Sequence, residues 1–128
     1  MDTNEHELSL NTIARAVVGS AYDVSNALGA GFLEKVYERA LAHELRLRDI
    51  QVRSQVSYPV LYKGQEVGLY VADLVVGNEV IVELKCVDRF SSEHMAMCIN
   101  YLKASQLRLA LLLNFQNSRV EWKRIIYG

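Results

Sequence analysis

From Leu8 to Leu28 apolar residues return at Ile13, Ala16, Val17, Ala21, Val24 and Leu28, the spacing of one face of a long helix. Gly29-Ala30-Gly31 closes that segment, because glycine both ends helices and permits a sharp turn. A second stripe, Leu33, Val36, Tyr37, Ala40, Leu41 and Leu45, predicts a helix over about Phe32 to Arg48. The two faces predict a packed helical pair. The period then changes. Val52, Val56, Tyr58 and Val60 alternate with polar residues up to a turn at Lys63-Gly64-Gln65, the pattern of a strand. Further strands are expected over Glu66 to Val76 and Val80 to Cys86. Ser91 or Ser92 is placed to cap a third helix reaching about Lys103, with Glu93 favourable against its dipole. Leu107 to Phe115 is too short for a typical helix and reads as a strand buried on both faces. Val120 to Tyr127 reads as a last strand at an edge. The pattern predicts one domain over residues 1–128, with 1–8 a flexible tail. Its class is α/β, a mixed five-stranded sheet flanked by helices in the order α-α-β-β-β-α-β-β.

Charges interrupt this pattern in one place. The segment ADLVVGNEVIVELK, Ala72 to Lys85, sets Asp73, Glu83 and Lys85 among valines, leucines and isoleucines. Half-buried strands rarely hold three charges without a partner or a task. Register decides whether they meet. A two-residue loop at Gly77-Asn78 would put Asp73 and Glu83 on opposite faces of the sheet. A three-residue loop, Gly77-Asn78-Glu79, closing with a residue in the left-handed region, sets Val76 opposite Val80 and Asp73 opposite Glu83. Their Cβ atoms would then be about 5 Å apart, close enough for both carboxylates to share one divalent cation. Lys85 would project from the same face. The residues alone favour a partly buried ion cluster that fixes register and does nothing else.

Composition narrows the classes. A chain of 128 residues, 51% hydrophobic with a single proline, can bury roughly two thirds of its unfolded surface without disulfides. Its two cysteines, Cys86 and Cys98, make no disulfide framework, which suits a reducing cytoplasm. The start, MDTNEHELS, is acidic and polar where a signal peptide is basic and then apolar. The longest apolar run, Leu109 to Leu113, is far below the roughly 20 residues that span a bilayer, so no membrane association is expected. A net charge of −1 lacks the whole-domain basic signature of many nucleic-acid binders. Arg46, Arg48 and Arg53 cluster in sequence, as do Arg119, Lys123 and Arg124. Ordinary solvated charge or a local basic surface accounts for either group. His94 and Cys98, four apart with Cys86 nearby, lack a fourth zinc ligand. His43 is expected at the surface of the second helix. Trp122 is expected in the core or at an interface rather than as a base-stacking platform.

An acid at Asp73, a hairpin of about ten residues, then Glu83-x-Lys85, followed by a helix and a buried strand, resembles the PD-(D/E)XK nuclease superfamily. Ala72 stands where the name motif has proline. Gly31-Phe32-Leu33-Glu34-Lys35-Val36-Tyr37 matches the G-x-x-E-x-x-Y pattern of one branch, the GxxExxY family. Asn100-Tyr101-Leu102-Lys103, Leu111-Leu112-Leu113-Asn114-Phe115 and Lys123-Arg124-Ile125-Ile126 are also similar to that branch. The resemblance covers nearly the whole chain. It implies a restriction-endonuclease-like core in which Asp73, Glu83 and the backbone carbonyl of Leu84 bind Mg²⁺ or Mn²⁺. Glu34 would complete or support the site, Tyr37 would pack with its hydroxyl steadying Glu34, and Tyr101 would support it from the third helix. Lys85 would orient the attacking water and stabilise developing charge. The implied activity is phosphodiester hydrolysis of nucleic acid, with DNA the expected substrate. Met97, four residues before Tyr101, stands where related nucleases often carry a glutamine. The resemblance therefore also implies a second reading. In it, the chain is a non-catalytic nucleic-acid- or protein-binding module of the same fold, a homodimer formed through an apolar edge strand or the exposed side of the helix pair.

Overall fold

Leu10, Ala14, Val17, Ala21 and Val24 lie buried along α1 (Thr3–Leu28), spaced so that every third or fourth residue returns to the same face. Tyr37, Leu41, Ala42 and Leu45 do the same on α2 (Glu34–Leu47). Together they cover one face of a sheet built from β1 (Val52–Tyr62), β2 (Gln65–Val76), β3 (Val80–Lys85), β4 (Leu109–Asn114) and β5 (Glu121–Ile126). The other face is covered by α3 (Ser92–Ser105), through Cys98, Tyr101 and Leu102. The computed structural model describes residues 3–128, and of the first eight side chains only that of His6.

The strand order is β1-β2-β3-β4-β5. All neighbours are antiparallel except β3 and β4, which run parallel across the α3 crossover. This is the α/β class, mixed sheet and element order that the hydrophobic pattern predicts. β4 is buried at every position, as a central strand covered on both faces must be. Pro59 sits on β1, an edge strand, where its missing N–H breaks no inner ladder.

Boundaries differ in ways that have local causes. α1 begins at Thr3 rather than Leu8, so the expected tail is helical from its third residue. Its first turns are tied to the β2–β3 turn: Ser9 Oγ donates to Glu79 Oε2 at 3.0 Å, and His6 Nε2 lies 3.5 Å from Glu79 Oε1. α2 begins at Glu34 rather than Phe32, because Leu33 is extended and the Phe32 N–H is already engaged by the Tyr37 hydroxyl. Ser91 is the cap of α3: its Oγ accepts from the His94 N–H, and the His94 ring accepts in return from the Ser91 N–H.

The β2–β3 turn has the odd length that the acids require. Val76 faces Val80, Val75 faces Ile81 and Leu74 faces Val82. Gly77 and Asn78 both occupy the left-handed region, so those residues open the loop where one was expected to close it. The Gly77 N–H donates to the Gln51 carbonyl at 2.8 Å. A Cβ on Gly77 would come within 2.8 Å of Ile13 Cδ1 on α1, so glycine is needed for the close approach as well as for φ.

Candidate active site

Continuing the β2–β3 register one step beyond Leu74 and Val82 brings Asp73 opposite Glu83. There the backbone ladder gives way to side chains. The Asp73 N–H donates to Glu83 Oε1 at 2.8 Å, and the Leu84 N–H donates to Asp73 Oδ2 at 2.9 Å. Each acid therefore satisfies backbone that the splayed strands leave unpaired.

The splay has a counterpart on β1. Gln55, directly across from Asp73 in the β1–β2 register, adopts φ +53°. On the near side of this step Val52, Leu74 and Val76 pack with α1 and α2. On the far side Val56, Tyr58, Tyr70 and Ala72 pack with α3. All of these are even-numbered, so the two-stranded ribbon rolls over at Gln55 and Asp73. Asp73 stands at the step where the ribbon changes faces; a second irregularity in the β1–β2 ladder lies further out, between Val60 and Leu61.

Glu83 is 4% exposed. Burial, then the neighbouring Asp73 charge, push its carboxyl up to about 8, and a carboxyl–carboxyl hydrogen bond with Asp73 adds to the rise. The Asp73 N–H and the Lys85 charge oppose it without winning. At neutral pH the pair holds a proton between its two carboxyls, and an ionised pair needs added positive charge.

Lys85, half-buried at the end of β3, has no carboxylate within ion-pair distance among the described residues. A register-fixing ion cluster would spend Lys85 on the acids, and here its amine is left for something else. Glu34, the first residue of α2, feels Lys85, Asp73, Glu38 and His94. Burial is the largest cause holding its carboxyl above the usual range, with Lys85 opposing. Glu34 and His94 are thus brought to Asp73 and Lys85 from the first turns of α2 and α3. Among the described residues no group of three or more His, Cys, Asp or Glu side chains is placed to hold an ion. The direct donor set is the Asp73–Glu83 pair, with Glu34 acting on it through its charge.

The tyrosines divide. Tyr101 is buried against the acids: burial first, then Glu83 and Asp73, push its hydroxyl well above the usual range. Its ring meets Tyr70 edge-on at 5.4 Å. Tyr37 does not touch Glu34 as expected. Its hydroxyl donates to the Gly29 carbonyl at 2.6 Å and accepts from the Phe32 N–H at 3.2 Å, while its ring stacks on Phe115 at 4.7 Å. It clamps the turn that aims α2 and so places Glu34 without contact.

The hydrophobic pattern gave no sign of two further residues. Glu38, buried one turn after Glu34, accepts from Lys35 Nζ at 3.0 Å and from Gln55 Nε2 at 2.9 Å, which anchors the ribbon's roll to α2. Its position four after Glu34 on the same helical face is the available signal. Asn114, 1% exposed, accepts from the Val87 and Gln116 N–H groups and donates to the Val87 carbonyl. It fixes the chain that leaves Lys85. Cys98 is buried with its thiol pushed up to about 12 by desolvation, and Cys86 is also held above its ordinary value, so neither is a ready thiolate ligand. His43 is exposed as expected.

The model of the PD-(D/E)XK nuclease superfamily matches residues 11–125. The chain belongs to this superfamily. The divalent-metal chemistry general to the superfamily fits the two adjacent carboxyls of Asp73 and Glu83. Both carboxyls are hard oxygen donors of the kind that such cations take. The crystal structure of SSO0001 shares the fold, with a TM-score of 0.56 at 14% identity over 73% of this chain and 50% of that one. The chain thus spans about half the length of that protein. Among curated proteins none matches. No helix of this PD-(D/E)XK domain, among the described residues, is long and apolar enough to cross a membrane.

Proposed function

We propose that the chain is a metal-dependent nuclease of the GxxExxY branch that hydrolyses phosphodiester bonds in DNA. The observation that carries this reading is the Asp73–Glu83 carboxyl pair, beside a Lys85 with no carboxylate within ion-pair distance among the described residues. Asp73 and Glu83, with the Leu84 carbonyl, are the groups that would hold Mg²⁺ or Mn²⁺. Such an ion supplies Lewis acidity at the phosphate and a more acidic bound water.

The protein's own residues do the rest. The Asp73 and Leu84 N–H groups lock the two carboxyls in one orientation, so little reorganisation accompanies the reaction. Lys85 places a positive charge where the pentacoordinate phosphate gathers negative charge, and orients the attacking water. Glu34 balances Lys85 from the opposite side. Tyr101 and Tyr70 form an aromatic wall that keeps the pair desolvated.

Incubation with single- and double-stranded DNA in Mg²⁺ or Mn²⁺ tests this directly. The wild type should cut, and Asp73→Ala and Lys85→Ala should each lose at least about 100-fold. Cleavage that persists in both variants, or none by the wild type on any substrate, refutes it. One observation favours a non-catalytic module: Met97, where relatives often carry glutamine, is exposed and offers no polar group. Wild-type inactivity with retained nucleic-acid binding is the outcome that would select it.

A further inference from the structure

Along the edge of the sheet remote from β1, the surface between α1 and β5 is hollowed. Ala14, Arg15 and Val18 of α1 face Trp122 and Arg124 of β5 across a cavity of about 420 Å³. A second hollow, of about 570 Å³, continues from Trp122 to Tyr22 and Arg119. A third, of about 270 Å³, runs the other way from Asn11 and Arg124 to Arg108. Shared lining residues join the three into one groove following β5, a length of roughly 17 Å for its six residues.

Charge in this groove is one-sided. Arg15, Arg119 and Arg124 have no carboxylate within ion-pair distance among the described residues. Glu121 is the one described carboxylate in the lining, and its Oε1 accepts from Asn117. Outside the groove Arg48, by contrast, is paired, with Asp23 at 2.5 Å and Glu44 at 3.3 Å. Two of the groove arginines are also held in place. Arg124 donates to Asn11 Oδ1 at 2.8 Å, and the Arg119 guanidinium lies 5.5 Å from the centre of the Tyr22 ring. Trp122, expected in the core or at an interface, is 41% exposed in the middle of them.

We infer that the α1–β5 groove binds a single strand of nucleic acid, with Trp122 as a stacking platform and Arg15, Arg119 and Arg124 reading its phosphates. Unpaired, pre-oriented guanidinium groups on a chain of net charge −1 suit a polyanion. An exposed indole stacks on a base only where the base face is free, which selects a single strand over a duplex. Leu84, Leu113 and Trp122 form one cross-strand row. The platform therefore lies two strand spacings, about 10 Å, from the strand that carries Glu83 and Lys85. The inference rests on nucleic acid being the substrate class.

Trp122 is the single tryptophan, so its fluorescence reports the platform alone. The test titrates the whole chain with a 12-residue oligodeoxythymidine in EDTA and follows the Trp122 emission. Anisotropy of the same oligonucleotide carrying a fluorescein is measured in parallel. The expected results are quenching of Trp122 and a log–log salt slope of about −2, as three phosphate contacts give on a single strand. Each of Arg15→Gln, Arg119→Gln and Arg124→Gln should flatten the slope by about 0.7. Trp122→Ala should weaken binding roughly 5- to 150-fold, with Trp122→Phe restoring most of it. No quenching, a slope unmoved by the arginine variants, or a blunt-ended duplex that competes equally overturns the inference. So does sedimentation showing that a second copy fills the groove. Quenching without cleavage in Mg²⁺ retains the groove and removes the nuclease reading, and cleavage without quenching does the reverse.

Discussion

Replacing Glu83 with glutamine should make the metal-free protein more stable, and increasingly so as pH rises. In the folded chain the Glu83 carboxyl is raised from 4.5 to about 8. The folded state therefore keeps a proton that the unfolded state releases. A raised folded value gives stability that is full below about pH 4.5 and lost as pH climbs through about 8. At about 1.4 kcal/mol per pH unit, the loss across that window is roughly 5 kcal/mol. Glutamine mimics the protonated form: its Oε1 can accept from the Asp73 N–H, and its Nε2 can donate to the Asp73 carboxylate. Thermal melts by circular dichroism in EDTA from pH 5 to 9 would compare the two proteins. The Glu83→Gln advantage should grow from about 1 kcal/mol at pH 5 to about 5 kcal/mol at pH 8.5. That growth is roughly 16 °C, at about 4 °C per kcal/mol for a chain of this size. A difference that does not grow with pH, or a variant less stable than wild type at pH 8.5, would refute the shared-proton account.

Other expectations concern the parts that hold the pair in place. Asn114→Ala removes the partner of two part-buried N–H groups and one carbonyl. It should cost roughly 2 to 4 kcal/mol, read from urea unfolding. Tyr37→Phe keeps the stack on Phe115 and loses both hydroxyl bonds. A cost of about 1 to 2 kcal/mol is expected, with hydrogen exchange accelerated at the Phe32 amide more than at the amides of α2. Gly77→Ala meets Ile13 Cδ1 and a φ of +60°. About 1 to 2 kcal/mol should be lost, with Ile13→Val recovering the part due to the contact.

How far the sequence reveals this site depends on what holds each part. The acids and their meeting were legible because strand period and loop parity decide which side chains face one another, and Gly77-Asn78 limited the loop to two lengths. Helix pairing was legible from the stripes on α1 and α2. The ribbon's roll was not. Gln55 takes a positive φ with no glycine or asparagine to announce it, and what supports it is the bond its Nε2 donates to Glu38, 17 residues away. Asn114 hides in an apolar run because its partners lie across the sheet at Val87. The Tyr37 hydroxyl was assigned to the wrong neighbour for a similar reason. Helical spacing shows which face a side chain shares, and it does not show that the chain doubles back at Gly29 to meet it. The sequence separation of Arg119 and Arg124 from Arg15 likewise concealed that they line one groove.

The central claim is that Asp73 and Glu83 form a cation site rather than a structural pair. A crystal soaked in Mn²⁺ above pH 8 and measured at the manganese absorption edge tests it most directly. The account predicts an anomalous peak shared by the Asp73 and Glu83 carboxylates, absent in a crystal of Asp73→Asn treated the same way. No peak in the wild type, with the two carboxyls still bonded to each other, would contradict it.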